Sequence, residues 1–264
     1  MADLALDRIR IVLVEPAGDR NVGAIARVMK NMGLHRLILV SPHCDPFSRD
    51  AQHMAVHAKD ILARATCVDT LPEALAGCQR AIATTARERS LCAVLEPPRV
   101  ALPWLLETPA ALIFGPEDRG LSNEELNYAQ RFVRIPSSDA YPSLNLAQSV
   151  GICCYELFAA FTQPPVARAD ALPPPPDPEA PLERLEGYYQ HLEQVLLKIG
   201  YLYPHTAASR MEKFRRLYSR ARPSDTEVAM LRGILRQVEW ALSQSSTVGD
   251  PLNSPGESLQ SDEA

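Results

Sequence analysis

"IRIVLVEPAGDRNVGAIARVMKNMGLHRLILVSP" occupies positions 9 to 42, and its reading decides the fold. Two short, continuously apolar runs, "IRIVLVE" (9–15) and "RLILVSP" (36–42), flank a stretch with a different period. In "NVGAIARVMKNMG" (21–33), Val22, Ile25, Ala26, Met29 and Met32 fall on one helical face, and Gly33 ends the helix as a C-cap residue. Strands without polar alternation are those covered on both faces, as in a parallel sheet. The pattern recurs along the chain. "RAIATTA" (80–86), "ALIFG" (111–115) and "RFVRIP" (131–136) read as further strands. "RDAQHMAVHAKDILA" (49–63), "TLPEALAGC" (70–78), "SNEELNYAQ" (122–130) and residues 144–161 read as helices, with Ser122 and Glu125 spaced as a capping box. The expected fold class is α/β, a mostly parallel sheet with helices on both faces.

Composition changes after position 162. "TQPPVARADALPPPPDPEAP" (162–181) holds 8 of the 23 prolines and predicts a stiff, extended linker. Such a linker should keep the C-terminal third of the chain from folding back onto its own domain. Helical patterns then cover 182–202 and 208–242, the second broken at Pro223–Asp225, where Ser224 or Asp225 caps the next helix. The expected organisation is a first domain over 1–162, a linker over 163–181, a small all-α module over 182–242 and a disordered tail over 243–264.

The net charge of −5 argues against a nucleic-acid partner until it is divided. Residues 1–162 carry 16 basic and 18 acidic groups, whereas 182–242 carry 10 basic and 7 acidic groups. Only the helical module is basic. Within it "RMEKFRRLYSRAR" (210–222) aligns Lys213, Arg216 and Arg220 on one face, with Met211, Phe214, Leu217 and Tyr218 on the other. This suits a phosphate backbone; the plainer reading is a solvated face. Tyr188, Tyr189, Tyr201 and Tyr203 have the chemistry to stack on bases but, at helical spacing, read better as core.

Several chemistries are unsupported. There is no GxGxxG after the first strand and no GxxxxGK[ST], so neither dinucleotide site nor P-loop is expected. His53 and His57 lack a third partner, and no metal is expected. Ser143 has no nucleophile elbow. The six cysteines, without CxxC spacing, read as reduced, mostly buried thiols of a cytoplasmic protein. No apolar run is long enough to span a membrane and no signal peptide is evident.

Three fragments point to a ligand. "EPAGDRNVGAIAR" (15–27) places Asn21 as a helix cap and Gly23 where a backbone or ligand approaches closely, with Arg27 one and a half turns on. Alone it reads as an ordinary βα turn. "LIFGPEDRGLSNEEL" (112–126) sets Gly115 and Gly120 around Glu117 at the carboxyl end of a strand, where open sheets bind ligands; it reads equally as a tight charged loop. "YPSLNLAQSVGICCYE" (141–156) opens a buried helix with Pro142, Ser143 and Asn145, which serve either as caps or to hold a ligand on free backbone N–H groups.

In this order, Asn21–Gly23–Arg27, Gly115–Glu117–Gly120, and Ile135–Pro136 followed by Ser143–Leu144–Asn145–Leu146–Ala147 resemble the three motifs of the SPOUT methyltransferases. The resemblance covers roughly 1–160 and is to the TrmH-like branch, which methylates RNA ribose 2′-hydroxyls. "FGPEDRGLSNEEL", "YPSLNLAQSVGICCYE" and the C-terminal "RRLYSRARPSDTEVAMLRGILRQVEWAL" are most similar to bacterial members that act on nucleotide 32 of the tRNA anticodon loop. Pro116 departs from them, standing where an arginine is common.

The resemblance implies a trefoil knot, S-adenosyl-L-methionine held bent in the knot loops, and a homodimer that completes the site. It implies a cofactor contact set of Thr84, Thr85, Ala86, Gly115, Glu117, Gly120, Ile135, Pro142, Ser143 and Leu144. Arg27, Ser143 and Asn145 take the catalytic positions, and Asn21 and Arg27 face the RNA together with Lys213, Arg216 and Arg220 of the module. A guanidinium stays protonated, so Arg27 is expected to bind phosphate and steady the developing oxyanion rather than act as base. The alternatives are a relative acting on ribosomal RNA or another tRNA position, and a catalytically silent RNA-binding factor.

Overall fold

A computed structural model describes residues 5–85, 94–138, 140–162 and 177–247 of the 264. Ala86 and Cys92, most of the proline-rich stretch (163–176) and residues beyond 247 lie outside the described residues.

Seven strands form one sheet: β1 (Ile9–Val14), β2 (Arg36–Val40), β3 (Thr66–Val68), β4 (Arg80–Thr84), β5 (Leu95–Glu96), β6 (Ala110–Phe114) and β7 (Arg131–Val133). Their order is β3-β2-β1-β6-β4-β7-β5, and every pairing within it is parallel. The later strands β6 and β7 thus enter between earlier ones. Alternation along β1 explains its unbroken apolar run. Ile11 and Leu13 face a core shared with helices α1 (Asp19–Asn31), α2 (Arg49–Ala55), α3 (Lys59–Ala63) and α7 (Leu146–Thr162). Val12 and Val14 face a second core with α4 (Leu71–Leu75) and α6 (Asn123–Leu126). The short α5 (Pro98–Ala101) runs on into a 3-10 turn over Leu102–Glu107.

The five expected strands are present, each within a few residues of its expected span. β3 and β5, of three and two residues, carry too short an apolar pattern to read. The expected helix over 49–63 is two helices, broken at Val56, whose φ is +53°. Lys30 sits at the break: its Nζ donates to the His57 carbonyl at 2.9 Å and pairs with Asp60 at 2.6 Å. Helix α1 starts at Asp19 with Gly18 as its cap position, so Asn21 lies inside the first turn rather than capping it. Gly33 ends α1 as expected, at φ +67°, and Leu34 N–H donates to the Met29 carbonyl at 2.9 Å. The Ser122–Glu125 capping box is formed in both directions. Cys78, Cys153 and Cys154 are buried, Cys44 is half-buried, and Cys67 is exposed. Burial pushes the Cys153 thiol up to about 12.

The C-terminal module consists of α8 (Leu182–Lys198), α9 (Ala207–Ala221) and α10 (Asp225–Thr247), packed on Leu185, Tyr188, Tyr189, Leu192, Met211, Val228 and Leu235. Ser224, not Asp225, caps α10: it accepts from Glu227 N–H at 3.3 Å while its own N–H donates to the Glu227 carboxylate at 2.7 Å. The last helix runs past 242, to Thr247.

The module does fold back onto its own domain, against the expectation drawn from the prolines. Residues 177–181 are ordered along it: Leu182 N–H donates to the Cys78 carbonyl at 2.8 Å, and Gly77 N–H to the Glu183 carboxylate at 3.2 Å. Buried Glu179 accepts from Arg80 at 2.8 Å and from Arg222. Burial alone would raise the Glu179 carboxyl, but its bonds from Arg222 and Arg80 outweigh this and hold it below the ordinary carboxylate range. Trp104 lies beneath the guanidinium groups of Arg80, Arg131 and Arg222, at 4.7, 5.3 and 5.8 Å from its ring centre. Proline stiffness constrains a segment's reach, not the affinity of the surface it leads to, and a buried ion pair with a cation–π partner decides the outcome.

Candidate active site

The second and third sequence motifs line one site at the carboxyl ends of β4, β6 and β7, and the first, which follows β1, adjoins it through hydrogen bonds. One pocket is lined by Thr84, Thr85, Gly115, Glu117, Gly120, Ile135, Pro142, Ser143 and Leu144, nine of the ten residues assigned to the cofactor. The tenth, Ala86, lies outside the described residues. Sequence reading missed other lining residues: Phe114, Leu121, Val133 and Leu146 supply apolar wall, while Asp118 and Ser149 supply polar edge. Leu121 and Ser149 are each within a few residues of a recognised motif, which is the signal that could have found them.

Gly115 and Gly23 both answer to close backbone approach. A Cβ at Gly115 would stand 2.3 Å from Leu121 N, because the loop after β6 returns on itself. A Cβ at Gly23 would stand 2.1 Å from the Ala51 carbonyl oxygen, so α1 and α2 cross at this residue. Gly23 therefore admits a backbone, not a ligand.

Glu117 ties the loop after β6 to the start of α1. Its carboxylate accepts from Ala17 N–H at 3.1 Å, Gly18 N–H at 3.3 Å and Asn21 Nδ2 at 3.0 Å. Glu117 thus fixes the backbone entering α1, where a negative charge also suits the helix dipole. Asn21 Oδ1 in turn accepts from Asn145 Nδ2 at 3.2 Å. Asn145 Oδ1 caps α7, accepting from Ala147 N–H at 2.9 Å and Gln148 N–H at 3.3 Å. One chain of side chains, Glu117–Asn21–Asn145, therefore joins all three motifs. Ser143 makes no cap bond, contrary to expectation; it is exposed, at the mouth of the pocket.

Arg119 braces the same loop from its other side, donating to Glu15 at 2.7 Å and to both oxygens of Glu125 at 2.9 and 3.0 Å. These bonds push the Arg119 guanidinium up, and they hold the Glu125 carboxyl below its ordinary range although burial alone would raise it. Sequence reading passed over this arginine. Thr84 is also engaged, its hydroxyl donating to the Ile113 carbonyl at 3.1 Å.

Arg27 lines no part of the pocket. It is exposed on α1, six residues beyond Asn21, without a hydrogen bond or ion pair to any described residue. Lys213 and Arg220 are exposed on α9, and Arg216 is paired with Glu212. Leu217 is 48% exposed and shares their face instead of packing inward, which corrects the expected division of that helix.

Comparison with known proteins adds a second line. Residues 8–155 match the model of the SpoU rRNA Methylase family, and residues 183–247 match that of the tRNA methyltransferase TrmJ C-terminal domain. A Cronobacter sakazakii protein named tRNA (cytidine/uridine-2′-O-)-methyltransferase TrmJ is 43% identical over 242 residues, which cover 89% of this chain and 97% of that one. The crystal structure of TrmJ from Z. mobilis ZM4 superposes with a TM-score of 0.76 at 31% identity, covering 87% of this chain and 98% of that one. A probable methylase family protein from Haemophilus influenzae superposes with a TM-score of 0.59 at 33% identity, covering 91% and 99%.

Proposed function

This chain belongs to the SpoU methylase family, on its TrmJ branch, and from that premise we propose that it methylates a ribose 2′-hydroxyl of cytidine or uridine in tRNA, at nucleotide 32 of the anticodon loop. The observation that carries the reading is the Glu117–Asn21–Asn145 chain, which brings the three motifs to the mouth of one pocket. S-adenosyl-L-methionine is its cofactor, and when bound it supplies an electrophilic methyl group on a sulfonium.

The residues present fit such a molecule. Leu121, Val133, Ile135 and Leu144 offer an apolar slot for a flat base, and Asp118 and Glu117 place negative charge beside a cationic ligand. Gly115 and Thr85 bring the carboxyl ends of β6 and β4 to the wall.

The remaining work falls to the protein's own groups. Arg27, on the exposed face of α1, holds a phosphate of the target nucleotide and steadies negative charge on the 2′-oxygen. A guanidinium cannot take the proton, so a phosphate oxygen or water receives it. Ser143 Oγ, exposed at the mouth, is free to bond the substrate hydroxyl. Asn145 spends its oxygen on α7 and its nitrogen on Asn21, so it positions the site. Most of the catalytic gain is then positional.

We extend the reading to a homodimer in the cytoplasm, with the trefoil threading of the family. Half-exposed Tyr155 and neighbouring Ile152 on α7 offer an apolar contact for a second copy. Among the described residues no helix is long and apolar enough to cross a membrane.

The test is methyl transfer from labelled cofactor to a tRNA transcript, with the methyl mapped. We expect one 2′-O-methyl group at nucleotide 32, lost when that nucleotide is 2′-deoxy. Label on a base, or at another ribose with nucleotide 32 untouched, would contradict the assignment.

A further inference from the structure

We propose that the turn between α8 and α9 is a stacking platform for an unpaired base of the bound RNA, built on Tyr201 and Tyr203. The proposal rests on the tRNA reading above. The module's tyrosines fall into two groups. Tyr188 and Tyr189 are 2% and 5% exposed, and the Tyr188 hydroxyl is bonded to that of Tyr218 at 2.7 Å. Those two are core. Tyr201 and Tyr203 are 52% and 55% exposed, and neither ring's hydroxyl has a hydrogen-bond partner among the described residues. Leu202, between them, is 1% exposed. It pins the turn into the module and leaves its neighbours pointing outward.

The two exposed rings already have partners, a guanidinium for Tyr201 and an imidazole ring for Tyr203. The Arg210 guanidinium stands 5.7 Å from the Tyr201 ring centre, and Phe214 backs that ring at 6.4 Å. His205 stacks on Tyr203 at 6.0 Å with the planes 22° apart. Arg210 also opens the α9 face that continues through Lys213 and Arg220, both exposed. A nucleotide whose base lies on a tyrosine would therefore have its phosphates beside a row of positive charge. Aromatic faces next to a basic track are what single-stranded nucleic acid requires, since every base has a face to stack and every linkage a charge to neutralise. A second copy of this chain fits poorly, because self-contact would bring like charges together.

The test uses the full chain with an unmodified tRNA transcript, its binding measured across a salt series. Replacing both tyrosines, Tyr201→Ala with Tyr203→Ala, should weaken binding by about 5- to 150-fold for one lost base, with the salt slope unchanged. The Phe pair should bind like the parent, since the faces remain. Ultraviolet cross-linking should attach RNA to the 199–206 segment. An Ala pair that binds like the parent, while Lys213→Gln with Arg220→Gln binds weakly, would overturn the platform and leave the tRNA reading standing. A chain lacking 163–264 that binds as well as the parent would overturn the module's RNA role and the platform with it. Cross-links confined to other segments, a flattened salt slope in the Ala pair, or loss of a dimer in that pair would each overturn the platform alone.

Discussion

Gly23 sits inside a helix, where alanine is the better helix former by about 1 kcal/mol. Packing reverses that preference. The added Cβ would lie 2.1 Å from a backbone oxygen of α2, and no side chain can swing aside to relieve it. Overpacking of this kind costs about 3 kcal/mol, so Gly23→Ala should be net destabilising by about 2 kcal/mol. Calorimetry should show a melting temperature lower by about 4–8 °C; an unchanged or higher value would mean that α1 and α2 can part at no cost. The residue scale is also where sequence reading was sharpest and most ambiguous. The resemblance to the family motifs singled out Gly23, Gly115 and Asn145, but the need for glycine at 23 comes from Ala51, on a different helix. Asn21 looked like a cap because Gly18 has no side chain to announce one, whereas its amide is spent on Glu117, about a hundred positions away.

Among elements, α9 shows what a helical period can and cannot tell. The alignment of Lys213, Arg216 and Arg220 follows from 100° per residue, and so does the presence of Leu217 among them. What the period does not show is pairing. Arg215 is turned inward, held by both oxygens of Glu186 at 2.6 and 2.8 Å and stacked 4.6 Å from the Tyr189 ring centre. Arg216 shares its charge with Glu212. Lys213 and Arg220 should therefore carry most of the helix's phosphate contacts. Changing both to Gln should flatten the dependence of log K for tRNA on log salt by about 1.4 to 1.8, while Arg216→Gln alone changes it little. Equal effects from all three would show that the Arg216–Glu212 pair opens on binding. The break at Val56 belongs to this scale too: the pattern through 49–63 is continuous, and only Lys30, reaching from α1, marks where the helix stops.

For the molecule as a whole, β1, β2, β4, β6 and β7 were legible because they are largely buried, and each longer helix because one face is, whereas β3, with Thr66 and Cys67 exposed, and the two-residue β5 were not. The strand order was not, since period carries no information about which strands become neighbours. Nor was the docking of the module, which rests on Arg80 and Glu179, residues 99 positions apart. Arg80 opens β4 and Thr84 closes it, so the docking contacts lie at the opposite end of the sheet from the pocket. Glu179→Gln would leave buried Arg80 with only the exposed Glu107 as counter-charge, and should cost about 3 kcal/mol at neutral pH. The pH dependence comes from the lowered carboxyl. Its contribution is complete above the ordinary value of 4.5 and is lost as pH falls through the lower folded value. The stability gap between parent and variant, measured by denaturant unfolding, should thus be constant from pH 7 to about pH 5 and shrink below that. A gap that persisted unchanged at pH 3 would place the cost elsewhere than in the charge.

At this scale too, the proposed function divides the site into two separable sides, the pocket assigned to the cofactor and the exposed α1 arginine assigned to the RNA. Arg27→Ala, assayed beside the parent for cofactor affinity by calorimetry and for methyl transfer to tRNA at saturating cofactor, tests that division most directly. The cofactor Kd should be unchanged and transfer abolished, with little recovery in Arg27→Lys, because one ammonium does not reproduce a planar fork. Cofactor affinity that collapses while transfer survives at saturation would contradict the division.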